Sequence, residues 1–176
     1  MKASVFIAAS LDGFIARPDG GLDWLPTAPD VEGGDFGFQA FLDTVDTVVM
    51  GRHTYEKLLS FDVDWPFGDR RVAILSTRPT NIPAALSDRV FRMSGDPKRI
   101  AAQLTAAGAG HAYVDGGTTI QSFLRAGLIQ RLIVTRVPIL LGQGIPLFGR
   151  LEGDVALQHR RTMAYSNGMV QSEYAL

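Results

Sequence analysis

The stretch Val48-Val-Met-Gly51-Arg52-His53-Thr54-Tyr55-Glu56 is the most informative part of this sequence. An apolar, β-branched run leads into Gly51, and a polar segment that is typical of a helix start follows it. A helix N-terminus offers free N–H groups and the positive end of a dipole, while glycine lets a ligand approach the backbone and arginine suits phosphate. The pattern therefore predicts either a phosphate-binding strand-to-helix turn or an ordinary turn with a surface arginine.

Two further stretches also end a predicted strand in residues that suit phosphate. Val114-Asp115-Gly116-Gly117-Thr118-Thr119-Ile120 runs through two glycines into a helix start, where backbone N–H groups can bind a diphosphate. Ala73-Ile-Leu75-Ser76-Thr77-Arg78-Pro79 ends in two hydroxyls and an arginine, which suit a ribose 2′-phosphate and favour NADPH over NADH. The alternatives are a capped helix after a tight turn and a polar strand exit. Together the three strand ends predict a long ligand along the carboxyl ends of the strands.

Short β-branched or aromatic runs alternate with helical patterns along the chain. The predicted strands span residues 3–9, 47–50, 71–76, 90–93, 112–115, 131–137, 155–164 and 169–175, and the predicted helices span 36–45, 54–59, 97–107 and 118–126. This alternation predicts an α/β fold with a central, mostly parallel sheet and helices on both faces. The Asn167-Gly168 step predicts a closing antiparallel hairpin. The glycine- and proline-rich segments 10–34 and 60–70 are predicted to be binding loops.

Composition limits the classes of protein that this chain represents. Its 176 residues predict a single domain, residues 1–176, with 46% hydrophobic and 20% charged residues. A net charge of −1 argues against nucleic acid and membrane surfaces as partners. The absence of cysteine and the scattered positions of the three histidines predict no metal site. No apolar stretch approaches the roughly 20 residues of a membrane span, and we expect a cytoplasmic protein.

Asp35 is a carboxylate that follows Gly33-Gly34 and precedes the apolar stripe of the predicted helix 36–45. One interpretation makes it the N-cap of that helix, a position that aspartate favours. The other places its carboxylate against an apolar pocket, where it assists protonation of a substrate. The two interpretations are compatible with each other.

The three blocks, in this order and spacing, resemble the dihydrofolate reductase superfamily over most of the chain. Within it, the Asp115-Gly-Gly-Thr-Thr119 form and the segment Leu141-Gly-Gln-Gly-Ile-Pro-Leu-Phe148 are more similar to the reductase domain of bacterial riboflavin biosynthesis, the RibD C-terminal domain, and its small stand-alone relatives. The resemblance implies a dihydrofolate reductase-like three-layer fold.

The same resemblance implies roles for individual residues. Asp35 lies sixteen residues before Gly51, the offset of the family's catalytic acid, and Thr135 matches the threonine whose hydroxyl bonds that acid. Trp24 is similar to the tryptophan of a loop that closes over substrate and cofactor. The positions that match cofactor contacts are Ala8, Ala9, Gly51, Arg52, His53, Thr54, Leu75, Ser76, Thr77, Arg78, Gly116, Gly117, Thr118, Thr119 and Ile120.

The activity that the resemblance implies is hydride transfer from NADPH to a small heterocycle, as in 5-amino-6-(5-phosphoribosylamino)uracil reductase. The alternatives are a true dihydrofolate reductase and a non-catalytic NADP-binding dimer. The segment 61–69 is longer than in the folate enzymes, and the place of the arginine that holds the folate tail falls on Asp69, beside Arg70 and Arg71. This departure argues against folate as the natural substrate.

A homodimer is the predicted assembly. The apolar segments Ile139-Leu-Leu141 and Ile145-Pro-Leu-Phe148 are expected to lie between subunits, as C2 dimers are the commonest oligomers. The alternative is that these segments cover the core of a monomer.

Overall fold

A computed structural model describes residues 1–26, 34–61 and 63–176, in which strands and helices alternate as predicted. The strands are β1 Lys2–Ser10, β2 Phe14–Ala16, β3 Thr47–Gly51, β4 Arg71–Leu75, β5 Val90–Met93, β6 His111–Asp115, β7 Arg131–Val137, β8 Ile145–Pro146, β9 Gln158–Ala164 and β10 Val170–Ala175. The helices are α1 Phe38–Leu42, α2 Arg52–Leu59, α3 Pro97–Ala106 and α4 Gly117–Arg125, with a 3₁₀ turn at Ala84–Leu86. Residues 27–33 of the predicted loop 10–34, and residue 62 of the loop 60–70, lie outside the described residues.

Eight of the strands form one sheet in the order β5-β4-β3-β6-β1-β7-β10-β9. The pairs from β5 to β7 are parallel, and β10 pairs antiparallel with both β7 and β9. The central parallel sheet with an antiparallel C-terminal hairpin is therefore confirmed. The carboxyl ends of β3, β4, β6 and β1 meet at one edge of this sheet.

Helices cover both faces of the sheet and produce three layers. On one face, α3 and α4 bury Ile100, Leu104, Ile120 and Phe123 against the sheet. On the other face, α1 and α2 bury aromatic and aliphatic residues, among them Tyr55. Burial of each such side chain stabilises the fold by roughly 1.5–3 kcal/mol. No helix among the residues that the structure describes is long and apolar enough to cross a membrane.

Two parts of the prediction differ from the structure. Helix α1 is shorter than the predicted 36–45, because Phe36 and Gly37 have φ angles of 57° and 81°, which are left-handed and exclude them from the helix. The short antiparallel pair β2–β8 was not predicted, because two or three residues show no periodicity. The hairpin turn forms as expected, with Gly168 at a φ of 83°.

Candidate cofactor and substrate cleft

A cleft of about 1120 Å³ opens at the carboxyl ends of β3, β4 and β6. The structure brings the three predicted phosphate-binding blocks together in its walls. The predicted cofactor residues that line it are Ala8, Gly51, Arg52, His53, Thr54, Leu75, Ser76, Thr77, Arg78, Gly116, Gly117, Thr118 and Thr119. A continuous cleft across several strand ends has the shape that a dinucleotide needs.

Two helix N-termini face this cleft side by side. Helix α2 begins after Gly51 and helix α4 begins after Gly116. Because both N-cap residues are glycines, no N-cap side chain bonds the first N–H groups of either helix. The helices are adjacent because β3 and β6 pair in parallel, with Met50 opposite Asp115. Their first N–H groups therefore remain free for an anionic ligand, and both helix dipoles favour negative charge there.

The two glycine turns interlock, which explains why each requires glycine. A Cβ on Gly51 would lie 3.2 Å from the Thr119 hydroxyl at the start of α4. A Cβ on Gly116 would overlap the Thr54 hydroxyl at the start of α2, and Gly116 also has a φ of +86°. Each helix start therefore packs against the glycine of the other, and the N–H groups stay exposed to the cleft.

The end of β4 supplies hydroxyl and guanidinium groups. The Ser76 hydroxyl donates to the carbonyl of Arg78 at 2.8 Å and accepts from its N–H at 3.0 Å, so it fixes the turn. The Arg78 guanidinium makes no ion pair with any described residue, whereas Arg52 pairs with Glu56 at 2.8 Å. Thr77 and Arg78 are therefore the groups of this strand end that are available to a ligand.

Asp115 is a functional group that the sequence analysis did not assign. It ends β6, is partly buried, and lines the cleft. Burial raises the pKa of its carboxyl to about 6, although its Oδ1 accepts a hydrogen bond from the Gly116 N–H at 2.8 Å. The sequence feature that could have identified Asp115 is its position at the end of an apolar strand, directly before the glycine pair Gly116-Gly117. Such a group holds or releases a proton near neutral pH.

Two predicted cofactor residues do not line the cleft. The Ala9 side chain points to the α3/α4 face because side chains alternate along β1, and Ala9 lines a separate cavity of about 380 Å³. Ile120 lies on the buried face of α4 and is wholly inside the core. Neither side chain lines the cleft, and the cofactor contacts of these two positions stay predictions.

The two predicted catalytic residues are also apart from the cleft walls. Asp35 is exposed, and its carboxylate accepts from the N–H groups of Gly37 at 2.9 Å and Gln39 at 2.5 Å, so it bonds the backbone at the start of α1. The N-cap position itself is Gly37 rather than Asp35 as predicted, because the left-handed Phe36 and Gly37 delay the helix. Thr135 is buried, and its hydroxyl accepts from Gln171 Nε2 at 3.0 Å. Within the described part of the chain no hydrogen bond joins Asp35 to Thr135, contrary to the implied contact. The catalytic role of this pair stays a prediction.

Gln171 provides the link that sequence reasoning missed. Its amide Nε2 donates to Thr135 Oγ1 and also to the carbonyl of Phe36 at 3.1 Å. Gln171 is itself 5% exposed, so these bonds are shielded from water. A buried polar residue on β10 thus ties the turn that carries Asp35 to strand β7.

Other residues singled out from the sequence are buried or engaged in structural contacts. Trp24 is 7% exposed and packs with Val137 and Met169, and its loop-closing role stays a prediction. The Arg70 guanidinium donates to the Leu42 carbonyl at 2.9 Å, and Arg71 stacks on a phenylalanine ring. Neither arginine lines the cleft. In the described ranges, no group of three or more His, Cys, Asp or Glu residues is placed to hold a metal ion.

The fold and the glycine-lined cleft define an α/β protein of the dihydrofolate reductase-like class. The family model of the RibD C-terminal domain matches residues 2–171, and the chain belongs to that family. The uncharacterized protein YwjB of Bacillus subtilis (strain 168) is 32% identical over 175 residues, which cover 98% of this chain and 97% of that protein.

Solved structures show the same architecture. A putative riboflavin biosynthesis protein from Shewanella sp. PV-4 is 43% identical with a TM-score of 0.92, and the match covers 99% of this chain and 98% of that one. The deaminase/5-amino-6-(5-phosphoribosylamino)uracil reductase of Thermotoga maritima has a TM-score of 0.75 at 13% identity, over 99% of this chain and 56% of that one. Dihydrofolate reductase from Enterococcus faecalis, complexed with NADP(H), has a TM-score of 0.62 at 16% identity. The match covers 99% of this chain and 95% of that one. The predicted superfamily and fold are thus confirmed.

Proposed function

We propose that this protein is an NADPH-dependent reductase that transfers a hydride to a small heterocyclic substrate of the riboflavin-precursor type. The observation that carries the proposal is the pair of uncapped helix N-termini, α2 and α4, beside the basic end of β4 in one cleft. The N–H groups after Gly51 and Gly116 suit a diphosphate, and Arg52, Thr77 and Arg78 suit a 2′-phosphate. The solved reductases of this fold, one of them with NADP(H), support the choice of cofactor.

In the proposed reaction the cofactor supplies the hydride. The protein binds the cofactor and the substrate, orients them and protonates the substrate. Asp115 is the carboxyl group that lines the cleft, and its pKa of about 6 lets Oδ hold a proton that the reduced substrate needs. Met50, the register partner of Asp115 on β3, is apolar and lines the same cleft, as does Phe67. The acid role implied for Asp35 is the rival assignment.

NADPH is expected to bind more tightly than NADH. A charge-assisted contact of Arg52 or Arg78 with the 2′-phosphate contributes about 1.5–3 kcal/mol, which is about tenfold to over a hundredfold in Kd. Titration of the protein with each cofactor, monitored by the fluorescence of its two tryptophans, gives the ratio of the two Kd values. Arg78→Ala should reduce the ratio, whereas Arg125→Ala, at the far end of α4, should leave it unchanged. Equal affinities for NADPH and NADH in the wild type contradict the proposal.

The alternative activities differ in turnover rather than in cofactor binding. Dihydrofolate is disfavoured as the substrate, because Arg70 and Arg71 are engaged in structural contacts and do not line the cleft. A non-catalytic NADP-binding dimer would bind NADPH without oxidising it. A turnover screen with dihydrofolate and with 5-amino-6-(5-phosphoribosylamino)uracil, monitored as loss of NADPH absorbance, separates these activities.

We also propose a homodimer that covers the face of the C-terminal hairpin. All seven residues of the edge strand β9 are exposed, and the neighbouring Phe148 and Leu157 are 48% and 45% exposed. Light scattering at micromolar concentration should give about twice the 19.1 kDa of one chain. Leu157→Asp should shift the mass to that of a monomer, whereas Val63→Asp, an exposed apolar residue elsewhere, should not. A wild-type mass of one chain contradicts the dimer.

A further inference from the structure

The segment 141–148 contains β8 and lies at the rim of the cleft, and it has no role in the proposed function. Strand β8 pairs antiparallel with β2, and the Leu147 N–H donates to the Gly13 carbonyl at 2.9 Å. A Cβ on Gly144 would overlap the carbonyl oxygen of Ala16, so this close pairing requires glycine. Leu147 is buried in the core on the α3/α4 face and anchors the segment there. The segment is therefore built to hold β8 closely against β2.

The β2–β8 pair lies against the first turn of helix α4. A Cβ on Gly117 would lie 3.0 Å from Ile15 Cδ1, on β2, and 3.1 Å from the carbonyl oxygen of Pro146, on β8. Gly117 is the first residue of α4, and its N–H is one of the free groups that the proposed function gives to the cofactor diphosphate. The two short strands therefore border the proposed diphosphate site.

Gln121 holds β8 in this position. It lies four residues after Gly117, on the same side of α4, and its Nε2 donates to the Pro146 carbonyl at 2.9 Å. A Cβ on Gly149 would overlap the Gln121 side-chain amide, so the chain after β8 also packs closely against this side chain. Gln121 thus ties β8 to the helix whose N-terminus faces the cleft.

Two isoleucines of the β2–β8 pair face the space of the cleft. Ile15 and Ile145 line the cleft together with Gly117, and Ile145 is 37% exposed, so a ligand can cover it. We propose that the β2–β8 pair is a clasp for the cofactor, in which Ile15 and Ile145 pack against bound NADPH beside its diphosphate and Gln121 is the positioning residue of β8. The inference rests on the proposed NADPH-dependent function. Apolar side chains at this place displace water, and hydrogen bonds from helix N–H groups to phosphate strengthen where water is excluded.

Ile145→Ala tests the clasp with NADPH as the probe. The variant should raise the Kd for NADPH about tenfold, because an apolar contact is lost, and mainly through faster dissociation, which stopped-flow fluorescence measures. Val63→Ala, which shortens an exposed β-branched residue outside the cleft, should change neither the Kd nor the dissociation rate. Binding in the wild type with an unchanged Kd in Ile145→Ala overturns the clasp alone, whereas a wild type that does not bind NADPH contradicts the proposed function as well.

Gln121→Leu tests the positioning role. It removes the donor to the Pro146 carbonyl at similar side-chain size, so the Kd for NADPH should rise about threefold to tenfold. With Ile145→Ala added, the rise should be smaller than the product of the two single effects, because Gln121 acts through β8. Gln130→Leu, which removes a bond to the Ala3 N–H at the amino end of β1, should lower the thermal midpoint without raising the Kd. Single effects that multiply fully, or a Gln121→Leu variant that loses only thermal stability, overturn the positioning role.

Discussion

Replacing Asp115 with asparagine is expected to lower kcat by about 10²-fold or more while NADPH affinity stays near that of the wild type. Asparagine keeps the shape and can still accept the Gly116 N–H, but it carries no titrating proton. In the wild type, kcat should fall about tenfold per pH unit above pH 6, because the protonated fraction of a carboxyl with a pKa of about 6 declines there. This decrease of kcat above pH 6 should be absent in Asp115→Asn. A variant with wild-type kcat and pH profile contradicts the role of Asp115.

Asp115→Asn is also expected to raise the free energy of unfolding at a pH above the pKa of Asp115. Folding raises the pKa of Asp115 from 3.8 to about 6, so the folded state binds more protons than the unfolded state between these values. Wild-type stability then falls as pH rises through this window, because burial disfavours the ionised carboxylate. The free energy of unfolding of Asp115→Asn should therefore exceed that of the wild type at pH 8, and the excess should shrink towards pH 4. Urea denaturation at the two pH values measures this difference.

Asp35→Asn is the companion variant, because Asp35 is the rival acid. Its carboxylate is exposed and bonds the N–H groups of Gly37 and Gln39, so we expect a loss of turnover of about tenfold or less, with near-native NADPH binding. We expect a smaller loss because the substitution alters the hydrogen bonds at the start of α1 and does not remove a proton donor of the cleft. A larger loss in Asp35→Asn than in Asp115→Asn would return the proton role to Asp35, as the family resemblance implies.

Substituting alanine for Gly116 is expected to raise the Kd for NADPH at least about tenfold. The new Cβ would overlap the Thr54 hydroxyl, and α2 would have to shift away from α4. The two helix N-termini would then no longer present their N–H groups to one diphosphate, and the loss of a charge-assisted contact is worth about 1.5–3 kcal/mol. Fluorescence titration with NADPH measures the effect.

Gly127→Ala is the matched control for this substitution. Gly127 also has a positive φ, +68°, but a Cβ there meets no atom within 4 Å, and it lies beyond the other end of α4. Both variants should lower the thermal midpoint because both glycines have a positive φ, and Gly116→Ala should lower it more, because the ψ of 135° at Gly116 lies outside the left-handed helical region. Only Gly116→Ala should weaken NADPH binding. Unchanged affinity in Gly116→Ala would show that the interlocked turns do not form the diphosphate site.

The sequence predicted the sheet and the cleft well because both depend on local patterns. Gly51 follows the apolar run Val48-Val49-Met50 and Gly116 follows Val114-Asp115, so both strand-to-helix turns could be predicted without any long-range contact. The start of α1 was not visible, because the left-handed conformation of Phe36, a residue type that rarely adopts it, is held by Gln171 from a distant strand. The raised pKa of Asp115 likewise arises from burial, which no spacing of residues reveals.

The hydrogen bond from Gln171 to the Phe36 carbonyl spans 135 residues of chain, and this has a consequence for biosynthesis. During translation, strands β1, β3, β4 and β6, whose ends form the cleft, leave the ribosome well before β10. The turn that carries Asp35 therefore lacks its hydrogen bond to Gln171 until residue 171 has emerged, at roughly 5–20 residues per second. A nascent chain arrested before β10 can pair strands β1, β3, β4 and β6, but its Phe36 carbonyl lacks the hydrogen bond that Gln171 donates.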